Sequence, residues 1–171
     1  SRLHGPVDVD RIAVTSSGVT ALMLAMQMLL DAGDEVVAVV PVWPNLTAQP
    51  VILGARVTRV PLRPDAAGRW QLDVDELLAA VTPATRVLLV NAPNNPTGWT
   101  LTRDEQRALL AHCRRTGTWI VADEVYERLY FDGGGCAPSF LDIAGPDGRL
   151  VVAHSFSRCF LMTGWRLGWL V

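Results

Sequence analysis

Seven short apolar runs recur along the chain, and longer segments with helical spacing separate most of them. The length and β-branched content of these runs predict β-strands at residues 11–15, 35–41, 56–62, 86–91, 118–123, 150–154 and 167–171. Strands that alternate with helices favour a mostly parallel sheet whose two faces are covered by helices. The pattern therefore predicts an α/β fold, a three-layer α/β/α domain with a mostly parallel seven-stranded sheet.

Helix signals lie between these strands. Residues 18–30 are apolar and alanine-rich, with Gly33 placed to end the helix, and residues 46–53 predict a shorter helix. Two more helices begin with capping-box pairs, Asp73 with Glu76 and Thr102 with Glu105, and the second of them ends at Gly117. Residues 63–68 and 133–135 are predicted to be loops.

Composition narrows the possible partners. The 171 residues suit one domain, and half of them are hydrophobic, so a large core can form. The formal net charge is −2 and no long basic block occurs, which argues against a nucleic-acid partner. The longest apolar stretches fall short of the roughly 20 residues of a membrane span, so we expect no membrane partner.

Cysteines and histidines point away from disulfides and metals. The three cysteines are an odd number without metal-ligand spacing, which favours a reduced, cytoplasmic setting. The three histidines, His4, His112 and His154, are scattered, so the sequence predicts no metal site. All 15 basic residues are arginine, and the chain contains no lysine side chain that could form an imine with a carbonyl compound.

Candidate ligand-binding residues follow the predicted strands, where the crevice of an open α/β sheet lies. Ser17, Gly18 and Val19 precede a helix, which makes an anion site there or a plain serine N-cap. Trp43 lies between two prolines and is either a stacking platform or a packing residue. Asn95, directly before Pro96, is expected to be extended, with its amide directed outward.

Three further candidates follow the fifth and sixth strands. Asp123 comes after four apolar or aromatic residues, so its carboxylate is expected at the lip of the core. There it needs a cationic or hydrogen-bonding partner, unless it caps the next segment. Ser155 and Arg166 could hold a phosphate, the arginine through its planar fork. We expect all of these residues on one rim of one sheet.

Four motifs together resemble one family. SSGVTAL (16–22), NAPNNPTG (91–98), ADEVY (122–126) and SFSRCFLMTGWRLG (155–168) are similar to the large domain of class I/II aminotransferases. These are fold-type I enzymes that depend on pyridoxal 5′-phosphate (PLP), and the resemblance runs from about residue 14 to residue 171. It implies PLP as the cofactor and a PLP-dependent transferase-like large domain as the fold.

The resemblance also implies a role for each candidate residue. The phosphate would be bound by Ser17, Gly18, Val19, Ser155 and Arg166. Trp43 would stack on the pyridine ring, and Asn95 and Tyr126 would bind the ring oxygen. Asp123 would pair with the pyridinium nitrogen and keep the ring protonated, so that it can accept electrons.

The chain departs from the family at Arg158. The family has a lysine at this position, three residues after Ser155 and eight before Arg166, which bonds covalently to PLP and transfers the substrate proton. A guanidinium stays protonated with delocalised lone pairs, so Arg158 is a poor nucleophile and a poor base. The resemblance thus implies an aminotransferase, moving an amino group from an amino acid to a 2-oxo acid, that is inactive as given.

Two alternatives remain open at this stage. The chain could be a non-catalytic binding or regulatory module with a PLP-type fold, or it could serve another PLP reaction such as that of a C–S lyase. Family members are longer, so we expect residues 1–171 to be the cofactor-binding large-domain core, without the family's N-terminal segment and C-terminal small domain. The resemblance further implies a homodimer.

Overall fold

A computed structural model describes residues 4–131, 135–145 and 147–171, so Gly133 and Gly134 of one predicted loop lie outside the described residues. Within those ranges the strands are β1 Ala13–Thr15, β2 Glu35–Val40, β3 Arg56–Pro61, β4 Arg63–Pro64, β5 Trp70–Gln71, β6 Thr85–Asn91, β7 Trp119–Asp123, β8 Leu150–Ser155 and β9 Gly168–Leu170. The α-helices are α1 Gly18–Leu29, α2 Asn45–Ile52, α3 Val74–Ala80, α4 Arg103–Thr116 and α5 Phe156–Cys159.

Seven strands form one sheet in the order β1-β9-β8-β7-β6-β2-β3. Five neighbouring strands run parallel, namely β3, β2, β6, β7 and β8, whereas β9 pairs antiparallel with both β8 and β1. The predicted α/β class and the mostly parallel seven-stranded sheet are confirmed. The carboxyl ends of β6, β7 and β8 therefore lie side by side at one edge.

Part of one predicted loop is a small hairpin. β4 pairs antiparallel with β5 across a turn in which Asp65 accepts hydrogen bonds from the amides of Ala67 and Arg69. The loop prediction for residues 63–68 was wrong for the two residues of β4. A two-residue strand carries no apolar alternation that a sequence pattern could reveal.

The core has two halves, one on each face of the sheet. Residues of β2 alternate between the two halves. Val37 and Val39 pack with α3 and α4 residues, whereas Val36 and Ala38 pack with α1 residues. This burial on both faces explains why the central strands are continuously apolar in sequence.

Local signals set the helix ends. α3 is capped by Asp73, whose carboxylate accepts the amide of Glu76, and α4 begins with a complete capping box of Thr102 and Glu105. α4 ends at Gly117, which adopts the left-handed conformation with φ of 79°. In the described ranges, no helix combines the length and the apolar character needed to cross a membrane.

An ion-pair cluster connects the N-terminal segment to the sheet. The His4 ring lies between carboxylates, with Nε2 3.0 Å from Glu127 and Nδ1 2.8 Å from Asp142. The hydrogen bond to Glu127, assisted by Asp142, raises the pKa of His4 to about 9 against the effect of burial. The nearby His154 stacks on Trp169, and burial lowers the pKa of its ring to about 4.

Two glycines allow three elements to meet at the carboxyl edge. Gly168 pairs with both Thr15 and Ser155 and lies directly against the start of α1, where an added Cβ would be 2.5 Å from the carbonyl carbon of Ser17. A Cβ on Gly18 would lie 2.9 Å from the Cβ of Ser155. The N-terminus of α1 is thereby held against the end of β8.

Replacing Gly168 with alanine tests this close approach. We expect Gly168→Ala to lower the free energy of unfolding by more than about 2 kcal/mol, because the contact atoms are backbone that cannot rotate away. Urea unfolding followed by tryptophan fluorescence measures the change. The matched control is Gly145→Ala, whose added Cβ meets nothing within 4 Å and should change stability by less than about 0.5 kcal/mol. Equal stabilities for the two variants would contradict the packing.

Candidate active site

A cavity of about 110 Å³ opens at this carboxyl edge. Nine of the ten residues singled out in the sequence line it, namely Gly18, Val19, Trp43, Asn95, Asp123, Tyr126, Ser155, Arg158 and Arg166. The strand register explains their proximity, because Asn91 of β6, Asp123 of β7 and Ala153 of β8 are aligned neighbours. Sequence reasoning missed four lining residues, Leu22, Asn91, Val125 and Ser157.

Ser17 is the predicted site residue that does not line the cavity. Its side chain is buried, and its hydroxyl accepts the Thr20 amide at 3.0 Å, which makes it the N-cap of α1. The contacts of Ser17 are therefore those of a helix cap, which is the simpler of the two interpretations. Its effect on the cavity is indirect, since the cap fixes where α1 begins.

The first turn of α1 presents free donors to the cavity. The amides of Gly18 and Val19 precede the first amide with an intrahelical partner, that of Ala21, which donates to the Ser17 carbonyl, and the Thr20 amide is already taken by the Ser17 hydroxyl. These amides and the positive end of the helix dipole favour an anion. A side chain at position 18 would collide with Ser155, so the sequence needs glycine here.

Asp123 supplies a buried carboxylate. The residue is 6% exposed, and its carboxylate accepts one hydrogen bond, from the Val125 amide at 3.2 Å. Among the described residues no cationic side chain pairs with it, and burial raises the pKa of Asp123 to about 7. Asp123 thus caps the following turn, as one interpretation held, and also faces the cavity with its charge uncompensated.

Asn91 fixes the two neighbouring strand ends. Its side-chain nitrogen donates to the backbone oxygen of Asp123 at 3.0 Å, and its side-chain oxygen accepts the Asn95 amide at 2.7 Å. It is 2% exposed, so both bonds are protected from water. An asparagine at the end of an otherwise apolar strand is the sequence signal that could have identified it.

The hydroxyl of Tyr126 accepts hydrogen bonds from side chains in two other segments of the chain. Its hydroxyl oxygen accepts from Asn95 Nδ2 at 3.4 Å and from Arg158 Nε at 3.3 Å. With its oxygen occupied as an acceptor, the hydroxyl proton can be donated to a ligand. Trp43, half-buried just before α2, contributes an aromatic side chain to the same wall.

Arg166 and the serines form the other end of the cavity. Arg166 Nη1 donates to the carbonyl of Thr163 at 3.0 Å and to Ser157 Oγ at 3.4 Å. The Ser155 hydroxyl accepts the Ser157 amide at 3.1 Å. With the α1 amides, this end offers hydroxyls, backbone N–H groups and a guanidinium, which together suit a phosphate.

The fold and this cavity define an α/β domain with a cavity at the carboxyl edge of its sheet that suits an anionic ligand. A family model described as aminotransferase class I and II matches residues 2–171. The chain belongs to that family, whose members depend on PLP.

Curated relatives agree with the family match. The chain is 38% identical to arginine–pyruvate transaminase of Pseudomonas aeruginosa over 165 residues, which cover 96% of this chain and 41% of the relative. It is 36% identical to a probable N-succinyldiaminopimelate aminotransferase of Mycobacterium tuberculosis, covering 98% and 43%. The chain thus spans about two fifths of the length of these relatives.

Solved structures share the fold. YbdL of Escherichia coli, with a methionine aminotransferase function, superposes with a TM-score of 0.90 at 29% identity, covering 99% of this chain and 44% of that one. N-succinyldiaminopimelate aminotransferase of Mycobacterium tuberculosis superposes with a TM-score of 0.89 at 34% identity, covering 99% and 44%.

The uncompensated charge of Asp123 predicts a pH dependence of stability in the absence of ligand. The folded-state pKa, about 7, exceeds the usual aspartate pKa of 3.8, so the native state binds the proton more tightly and loses stability as pH rises between these values. Asp123→Asn removes this loss, and we expect it to gain on the order of 1–4 kcal/mol over the wild type on going from pH 4 to pH 8. Urea unfolding at pH 4, 6 and 8 measures the difference.

Asp31→Asn is the control for this experiment, because Asp31 is exposed and lies away from the cavity. Its stability relative to the wild type should not vary across the same pH range. If Asp123→Asn also ran parallel to the wild type from pH 4 to pH 8, the buried, unpaired state of Asp123 would be wrong.

Proposed function

We propose that this chain is the cofactor-binding core of a PLP-dependent aminotransferase and that Arg158 leaves it without the amine its chemistry requires. The observation that carries the proposal is a cavity lined both by Asp123, a buried carboxylate with no cationic partner among the described residues, and by the N-terminus of α1. PLP combines a basic ring nitrogen with a phosphate, so its two ends match these two features. The glycine at position 18 lets the helix N-terminus lie against Ser155, where a Cβ would collide.

In this proposal Asp123 holds the proton on the ring nitrogen. The pyridinium would supply the missing positive charge, and the ion pair would lower the pKa of the carboxylate from its raised value. The buried setting strengthens the pairing because few waters compete. When bound, PLP supplies an electron sink for the negative charge that develops on the amino acid.

The remaining residues would orient the ring and the phosphate. Asn95 and Tyr126 would donate to the ring oxygen, and Trp43 would pack on the ring face. The phosphate would be bound by Gly18, Val19, Ser155 and Arg166, with Ser17 acting through the position of α1. Ser157 would steady the Arg166 guanidinium through its hydroxyl.

Arg158 accounts for the proposed lack of activity. Position 158 lines the cavity next to Tyr126, but a guanidinium does not give up its proton at neutral pH. It therefore neither attacks a carbonyl carbon nor removes a proton from a substrate. Loss of a positioned acid–base group alone typically costs about 10²–10⁴-fold in rate.

For the whole protein we propose an amino acid and a 2-oxo acid as substrates, since the relatives named above are aminotransferases. Residues 1–171 would be the large-domain core of a longer chain that acts as a homodimer. The three free cysteines support a reduced, cytoplasmic location. Arg158 itself favours one alternative, a non-catalytic PLP-binding module, and the same core is compatible with another PLP reaction such as that of a C–S lyase.

PLP binding without a covalent bond is the first expected outcome. PLP added to the protein should bind reversibly with a change in its absorption spectrum, because the non-covalent partners are present and lysine is absent. After borohydride reduction, mass spectrometry should find no pyridoxyl adduct on any side chain. An adduct away from the N-terminal amine would contradict the proposal.

Restoring lysine is the second test. Arg158→Lys in the full-length protein should produce a borohydride-fixed adduct at residue 158 and amino-group transfer at least about 10²-fold above the unmodified protein. The matched control is Arg59→Lys, which adds a lysine on the edge strand β3, outside the cavity. A folded Arg158→Lys protein that binds PLP covalently but is inert towards a broad amino-acid panel would favour the non-catalytic alternative.

A further inference from the structure

Two guanidinium groups line one cavity without a charged partner. Arg158 and Arg166 both face it, and within the described part of the chain neither forms an ion pair with a carboxylate. The acid in the same wall, Asp123, is itself buried with a raised pKa. The cavity therefore carries more positive than negative charge, with two arginines against one buried carboxylate.

The two arginines have different partners in the cavity wall. Arg166 is held by the turn after α5, through the Thr163 carbonyl and the Ser157 hydroxyl, beside the phosphate-type donors. Arg158 uses Nε to contact the hydroxyl of Tyr126, which also receives Asn95. No hydrogen bond to another described residue engages the two terminal nitrogens of Arg158, so the outer edge of its fork is available to a ligand.

The chemistry of the ring places a particular substituent near Arg158. In a pyridoxyl compound, the carbon that carries the aldehyde or amine is attached next to the carbon that bears the phenolic oxygen. If Asn95 and Tyr126 bound that oxygen, the neighbouring substituent would lie close to Arg158, which contacts the same Tyr126 hydroxyl. A guanidinium does not add to an aldehyde, but it binds a carboxylate through two parallel hydrogen bonds.

We infer that the cavity is a receptor for a doubly anionic phosphopyridoxyl amino acid, whose phosphate lies at the Arg166 end and whose carboxylate is bound by Arg158. This inference rests on the proposed function, because it uses the ring and phosphate positions proposed there. Arg158 then acts as a specificity-determining residue that favours the cofactor joined to an amino acid over the cofactor alone.

Three non-reactive probes test the inference by isothermal titration calorimetry. They are pyridoxamine 5′-phosphate, N-(5′-phosphopyridoxyl)glycine and the corresponding glycinamide, which matches the second probe in size but lacks the carboxylate. None contains an aldehyde, so none can bond covalently to a lysine. The wild-type protein should bind the glycine conjugate about tenfold or more tightly than the glycinamide.

Variants of Arg158 test whether this side chain binds the carboxylate. Arg158→Gln should reduce the ratio of the two affinities to about one, and Arg158→Lys should keep part of the preference because it retains a charge without the fork. Arg59→Gln makes the same chemical change on edge strand β3, outside the cavity, and should leave the ratio unchanged. Circular dichroism tests whether each variant is folded. If Arg158→Gln is not folded, the reduced preference expected for Arg158→Lys tests the role of Arg158 instead.

The outcomes separate the inference from the proposed function. If the wild type binds pyridoxamine 5′-phosphate but binds the conjugate and its amide equally, the inference fails and the proposed function stands. The inference also fails if the preference for the acid persists in Arg158→Gln. If the folded wild type binds none of the three probes, the proposed cofactor site fails, and the inference fails with it.

Discussion

A carboxylate buried without a cation beside it is the constraint on which this site depends. Asp123 ends the central strand β7, and its flanking strands β6 and β8 shield it from water on both sides. Such burial is costly in the free protein, as the raised pKa of about 7 indicates. The cost would be offset by a ligand that brings a positive charge, as the protonated ring would in the proposed function. The bonds that Asn91 makes to the backbone of Asp123 and Asn95 keep that strand end in place.

The arginine at position 158 separates two properties that a lysine combines. Both side chains carry a positive charge, but only an amine can lose its proton and present a lone pair. The proposed phosphate donors, which are α1, Ser155 and Arg166, do not include position 158, so anion binding and covalent chemistry would rest on different atoms. A site of this kind can retain affinity while losing reactivity. The contact between Arg158 and Tyr126 further indicates that the guanidinium is accommodated by the cavity wall.

Local sequence patterns predicted most of the fold. The buried central strands and the capping pairs at Asp73 and Thr102 were predicted because their causes lie within a few residues of one another. Nine of the ten candidate residues line one cavity, as the sequence predicted, because the carboxyl ends of parallel strands lie at the same edge of a sheet. Asn91 was missed because its importance comes from Asp123, on the adjacent strand. For Ser17 the sequence could not distinguish two interpretations, because a helix cap and a phosphate ligand have the same sequence signal.

Conformation at a single residue also escapes sequence patterns, and Arg166 shows why this matters for the site. Its backbone is left-handed, with φ of 49° and ψ of 55°, which costs a non-glycine residue about 1–2 kcal/mol. A turn that served only to connect α5 with β9 would be more stable with glycine at this position. The strained backbone instead directs a guanidinium, anchored on Thr163 and Ser157, into the cavity. Strained backbone is often found at binding sites, so the conformation of Arg166 supports its proposed phosphate-binding role independently of the motif that contains it.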